Sequence, residues 1–205
     1  MTTPADSPRS TESRSPENGE ARIYTWAYAD GSRIEQARVA ESGEGLRVRG
    51  SLVEAPTDDR PALTLAYVVE LADGYRIDRV VLESVTAAGE RTLELKHDGQ
   101  GAWIADGPAG AGERLGSAGA RSVLIDASML LFSLAVRAND LQSNQDEVDE
   151  PAVSVDPYTL EVSETSMSFR SDDTMVYGVT GVAATSAHVD ADGFVVDVPS
   201  LLSRR

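Results

Sequence analysis

The chain has 205 residues, no cysteine, and 34 acidic against 18 basic residues, a net charge of −16. The length suits one domain, 41% apolar residues suffice for a core, and the missing cysteines exclude disulfides, a thiolate nucleophile and cysteine-ligated zinc. The acidity argues against a nucleic-acid partner and against an anionic membrane surface, both of which need a basic face.

Residues 1–20, rich in Ser, Thr, Pro and Glu, predict a disordered polar tail ahead of a domain at 21–205. From residue 22 the pattern has period two. Residues 22–28 alternate Ile23, Thr25 and Ala27 with Tyr24, Trp26 and Tyr28, and Asp30-Gly31 turns into a second strand at 34–41, ending before Ser42-Gly43. A third, at 46–54, sets Leu46, Val48, Gly50 and Leu52 against Arg47, Arg49 and Ser51. Residues 61–71 alternate most clearly, with Leu63, Leu65, Tyr67, Val69 and Leu71 on one face. Asp73-Gly74 is a hairpin signal before 75–86, and turns at 88–90 and Asp98-Gly99 bracket 91–97 and precede 102–105. Residues 107–119 are glycine-rich and irregular, 121–126 form a short buried strand, and 128–138 fit a helical turn or an extended run equally. Strands at 150–155, 159–162, 167–170, 174–182, 186–189 and 194–198 complete the chain, with turns at Asp172-Asp173 and Asp192-Gly193.

No segment sustains a 3.6-residue period. Short strands with turns roughly every 8 to 12 residues predict a mainly β protein. The expected architecture is a single curled antiparallel sheet, a roll or half-barrel, with little helix to fill it. Such a sheet can enclose an apolar cavity. The longest apolar stretch, 122–136, contains Asp126 and falls short of the ~20 residues of a membrane span, and no secretory signal pattern is present, so a cytoplasmic protein is expected. Lys96 is the single lysine. Arginine in place of lysine fits a GC-rich genome, but the excess of acid points to halophilic adaptation, since in molar salt the Debye length falls to about 3 Å and self-repulsion is screened.

Motifs for chemistry are sparse. His97 and His188 have no partners at metal-ligand spacing, there is no G-x-S-x-G, and Asp58-Asp59 and Asp172-Asp173 fit solvated turns. The run Gly107-Pro108-Ala109-Gly110-Ala111-Gly112 lacks the βαβ setting that a dinucleotide site needs. Tyr75-Arg76-Ile77-Asp78-Arg79 stands out. Its two arginines fall on opposite faces of an apolar strand, so at most one points inward, and Arg137 likewise follows an apolar run. An inward arginine must pair, with Asp126 or Asp78, or meet an anionic or hydroxylated ligand.

The residues from about Trp26 to Arg205 resemble the putative glycolipid-binding family. The resemblance is carried by Trp26, Asp30 and Glu35, by Tyr67-Val68-Val69-Glu70 and Tyr75-Arg76-Ile77-Asp78-Arg79-Val80, by Leu93-Glu94-Leu95, Trp103 and Ile125-Asp126, and by the closing run from Val189 to Pro199. Where family members have Pro-Phe-Thr-Asn and paired arginines, this chain has Met129-Leu130-Leu131-Phe132-Ser133 and Arg137 with Ala138. The resemblance implies a curled antiparallel sheet similar to carriers of lipoprotein acyl chains, a cytoplasmic setting, and lipid or glycolipid binding.

The first reading is therefore a non-enzymatic module without cofactor or metal, holding a lipid or glycolipid in the sheet's apolar concavity. Acyl chains would lie against Leu63, Leu65, Tyr67, Val81, Leu93, Leu95 and Trp103, and the ligand-binding residues would be Tyr67, Tyr75, Arg76, Arg79, Trp103, Asp126 and Arg137. A second reading is an enzyme on a small apolar or sugar-linked substrate, with Asp126 or Asp78 as acid or base. A third is a β-rich interaction protein that recruits a partner at a sheet edge.

Overall fold

A computed structural model describes residues 21–42, 45–72, 75–116, 119–126, 128–141, 147–172, 175–180 and 183–205. The tail at 1–20, the Asp73-Gly74 turn, and parts of the turns expected at Ser42-Gly43 and Asp172-Asp173 lie outside them.

A first meander runs through β1 (Ala21–Tyr28), β2 (Arg33–Ser42), β3 (Gly45–Glu54), β4 (Leu63–Leu71), β5 (Ile77–Thr86), β6 (Gly89–His97), β7 (Trp103–Gly107) and β8 (Gly110–Leu115). After β9 (Ser122–Ile125) and the helix α1 (Met129–Ala138), a second comprises β10 (Glu147–Val155), β11 (Val162–Asp172), β12 (Met175–Thr180), β13 (Ala183–Val189), β14 (Val195–Val198) and β15 (Leu202–Arg204). β1 pairs with β15, Trp26 opposite Arg204, and this joins both meanders into one sheet with β8 and β9 at its edges. The sheet is curled but not closed. Every pairing is antiparallel except β9 with β10, which α1 connects as a parallel crossover. A βαβ unit thus exists where none was expected, but the glycine run is not in it; that run makes the β7–β8 hairpin.

Alternation decides which side chains face inward. On β4, Leu63, Leu65, Tyr67, Val69 and Leu71 are buried, and on β3, Leu46, Val48, Leu52 and Glu54 are. On β1 it is Tyr24 and Trp26 that face the core, while Ile23 is exposed. A register shift at the β4–β5 pairing sets Leu71 opposite Ile77 and Glu70 opposite Arg79, so alternation slips by one at Asp78. As a result neither arginine of the Tyr75–Arg79 run points inward. Arg79 lies on the outer face against Glu94 and Glu70, and Arg76, ahead of β5, pairs with Asp78.

The segment at 128–138 is a helix. Ser128 caps it, its hydroxyl accepting from the Leu131 N–H at 3.2 Å, and the run Met-Leu-Leu-Phe-Ser-Leu-Ala is free of β-branched residues. Every residue from Met129 to Val136 is buried, because α1 lies inside the curl. Phe132 packs against Phe169 at 5.9 Å between ring centres, and a Cβ on Gly178 of β12 would come within 2.6 Å of its ring. Ser133 accepts from the Val195 N–H at 3.0 Å, which ties the helix to β14.

The expected apolar concavity is therefore filled by the protein itself. Leu65, Leu95 and Trp103 are 0% exposed, and Leu63, Tyr67 and Leu93 lie in the same core. Val81 does not line the interior; it pairs with Val68 and Glu94 across the outer surface.

Three local readings change. The expected strand at 159–162 begins as a turn in which the Asp156 carboxylate accepts from the Tyr158 and Thr159 N–H groups, both at 2.8 Å. The irregular glycine stretch contains β8, and β15 has no counterpart in the sequence pattern. No helix among the described residues is long and apolar enough to cross a membrane.

Candidate functional site

Strand direction gathers the ends of β1, β3, β9 and β10 and the starts of β2, β4, β11 and α1 at one end of the roll. At this end inward positions carry charge instead of hydrocarbon. Arg33 opens β2 directly opposite Glu54, the last residue of β3, and the two form an ion pair with side chains only 9% and 7% exposed. Arg33 also donates to the Tyr28 hydroxyl at 3.1 Å. Burial works against the Arg33 cation, but Tyr28 and Glu54 outweigh it and hold its pKa above the ordinary value.

Two residues along β2, Glu35 is fully buried. It accepts from the Tyr67 hydroxyl (2.7 Å), the Ser128 hydroxyl (2.7 Å) and the Met129 N–H (2.6 Å), with the Leu130 N–H at 3.4 Å. The carboxylate thus meets the first free N–H groups of α1, where the helix dipole favours negative charge. Burial nevertheless raises its pKa above the usual carboxylate value, and the hydrogen bonds pull back only in part. Burial, then Glu35 itself, pushes the Tyr67 phenol well above its ordinary range. Tyr67 reaches Glu35 by lying across Gly50, where any Cβ would collide with its ring.

Outside this buried layer lies a surface cleft of about 350 Å³, whose lining includes Arg60, Asp126, Ser154, Tyr158, Glu161 and Ser163. Arg60 pairs with Asp126 at 3.2 Å and stands 5.8 Å from the centre of the Tyr158 ring. The loop that carries Tyr158 is pinned to β5 by the Ser84 hydroxyl, which donates to the Pro157 carbonyl at 2.6 Å. The Tyr158 hydroxyl is buried and makes no hydrogen bond among the described residues. Burial, reinforced by the nearby Glu54 carboxylate, raises its pKa.

The sequence-predicted site residues do not assemble. Asp126 lines the cleft, and Tyr67 lies behind it through Glu35 and Ser128. Tyr75 and Arg137 meet at the opposite end. There Arg137 donates to the Tyr75 hydroxyl and the Asp192 carbonyl, with its guanidinium 3.9 Å from the Tyr75 ring centre and 4.8 Å from that of Phe194. Its partners are therefore neither Asp126 nor Asp78. Trp103 is a core residue whose indole N–H donates to the Ala120 carbonyl at 3.0 Å. Arg76 and Arg79 lie outside. Asp126 and Asp78 are both substantially exposed, and each is paired with an arginine, Asp126 with Arg60 and Asp78 with Arg76. His97 packs edge-on against Trp103, and His188 contacts Asp197 at 2.8 Å.

Arg33, Glu54, Arg60 and Tyr158 were missed. Glu54 carried a signal, since it extends the apolar face Leu46, Val48, Gly50, Leu52 by one inward position. Arg33 and Glu35 share such a face on β2. Tyr158 and Arg60 lie in loops, where alternation is silent.

The fold and site define an open β-roll wrapped around one buried helix, with a polar cleft of small-molecule size at one end. The model of the family described as putative glycolipid-binding matches residues 23–204, and the chain belongs to that family. The fold is similar to the crystal structure of a DUF1089 family protein from Pseudomonas aeruginosa, with a TM-score of 0.71, 20% identity, and coverage of 85% of this chain and 92% of that one. No curated protein matches the chain.

Proposed function

We propose that the protein binds a glycolipid without transforming it, and that it holds the glycosyl head in the cleft bounded by Arg60, Asp126 and Tyr158 instead of an acyl chain inside the sheet. The observation that carries this is the cleft itself. Its volume of about 350 Å³ falls within the roughly 300–1,000 Å³ of small-molecule sites, while the apolar interior is occupied by α1. Sugar hydroxyls both donate and accept. Asp126 and Glu161 supply acceptors, Arg60 supplies donors, and Ser154 and Ser163 supply either. Val155, Pro157 and Val162 offer apolar wall to the C–H faces of a ring. The family's description supports the ligand class.

The test is calorimetric titration with short-chain alkyl glycosides, the free sugars, and a fatty acid of the same chain length. Glycosides should bind. Asp126→Ala should weaken them about tenfold or more, as expected for loss of a charge-assisted hydrogen bond, and Tyr158→Ala should weaken them as well. Fatty acid that binds as tightly as glycoside, with both variants unaffected, would overturn the assignment.

A further inference from the structure

The overall charge of −16 hides a face of opposite sign. On the outer surface of β1–β3, alternation points Ile23, Ile34, Arg38, Arg47, Arg49 and Val53 to solvent, and among the described side chains of these three strands no carboxylate occupies an outward position. Arg38 and Arg49 are both exposed and stand directly opposite one another across the β2–β3 pair. Like charges in that position repel, and neither arginine makes an ion pair among the described residues, whereas Arg47 is bridged to Glu70 at 3.3 Å. Beyond β4, strands β5 and β6 differ, because Arg79 and Lys96 are both bridged to Glu94.

The same face is apolar where it is not basic. Ile23, 66% exposed, lies opposite Arg38, and Ile34 (48%) lies opposite Val53 (46%). These are three of the four large hydrophobic side chains exposed among the described residues.

We propose that the outer face of β1–β3 docks on an anionic lipid bilayer. Arginines without carboxylate partners suit lipid phosphates, to which a guanidinium gives paired hydrogen bonds. Exposed Ile and Val beside them enter the headgroup boundary, as apolar residues of interfacial elements do. A binding face made only for phosphate would have no use for Ile34 and Val53, which favours a bilayer over a nucleic acid. The face is separate from the cleft, so this inference stands apart from the identity of the cleft's ligand.

Co-sedimentation tests it, with phosphatidylcholine vesicles carrying about one-third phosphatidylglycerol, compared with pure phosphatidylcholine, in about 0.1 M salt. The protein should partition onto the anionic vesicles only. The double variant Arg38→Gln/Arg49→Gln should lose about 25-fold in partitioning, roughly fivefold per arginine. Ile34→Ser/Val53→Ser should weaken partitioning while leaving its salt dependence unchanged. Both variants should fold and keep the wild-type glycoside affinity, with Arg38→Gln/Arg49→Gln melting no lower than wild type because the cross-strand repulsion is gone, and Arg121→Gln, outside the face, should partition as wild type. Failure of the wild type to bind anionic vesicles, undiminished binding by Arg38→Gln/Arg49→Gln, or displacement from vesicles by duplex DNA at equal charge would each overturn the proposal.

Discussion

Glu35 concentrates the polar chemistry of the interior in one carboxylate. It satisfies the Tyr67 and Ser128 hydroxyls and the first N–H of α1, so its loss leaves several buried donors without partners. Glu35→Gln turns one acceptor oxygen into a donor facing donors, and should cost about 1–3 kcal/mol in urea unfolding. Because burial raises the folded-state pKa of Glu35, the native state holds its proton more tightly than the unfolded chain does. That contribution is complete below the unfolded value of about 4.3 and fades as pH climbs through the raised folded value. The stability gap between wild type and Glu35→Gln should therefore shrink as pH rises from that point, and a gap that widens would contradict the assignment. Gly50→Ala should destabilise by about 1–3 kcal/mol, because the new Cβ drives Tyr67 off the position from which it reaches Glu35. At this scale alternation placed Tyr67 on the inner face. It could not show that the ring crosses Gly50, because that contact is made between strands.

Helix α1 is the element that settles what the roll contains. It is buried on all sides, so its sequence has no polar stripe and no 3.6-residue period, and the same absence made residues 128–138 indistinguishable from a buried strand. The Ser128 cap was the available local sign. Phe132→Ala should cost about 3–5 kcal/mol, measured by urea unfolding, since Phe132 plugs the space between Phe169 and Gly178. A cost near zero would mean that α1 is loosely seated. The long hairpins of the first meander were legible because each strand has one wet face and one dry face, and their observed bounds lie within two residues of those expected. β8 and β15 were not legible: β8 is exposed along its length except at Leu115 and opens on Gly-Ala-Gly, and β15 is three residues long. The Asp78 slip was equally hidden. A one-residue shift reverses which side chains face in, and nothing local announces it.

For the whole molecule, composition and alternation fixed the class of fold but not its topology. That β1 and β15 pair in the middle of the sheet, and that one parallel crossover carries the helix inside, depend on contacts between the two ends of the chain. The average charge was similarly blind to the basic face of β1–β3, because a sum over the chain discards position. Self-repulsion from a net −16 should make the protein more stable as salt screens it, so the melting temperature should rise between about 0.1 and 1 M KCl; a fall would contradict a surface adapted to salt. On the proposed function, helix α1 keeps the roll's interior closed to ligand, and a glycoside is recognised at the cleft. Side-chain NMR during titration with a short-chain alkyl glycoside tests this most directly. Shifts are expected at Arg60, Tyr158 and the Val155 and Val162 methyls, with the Leu65 and Leu95 methyls and the Trp103 indole unmoved. Shifts centred on Leu65, Leu95 and Trp103, with the cleft silent, would contradict it.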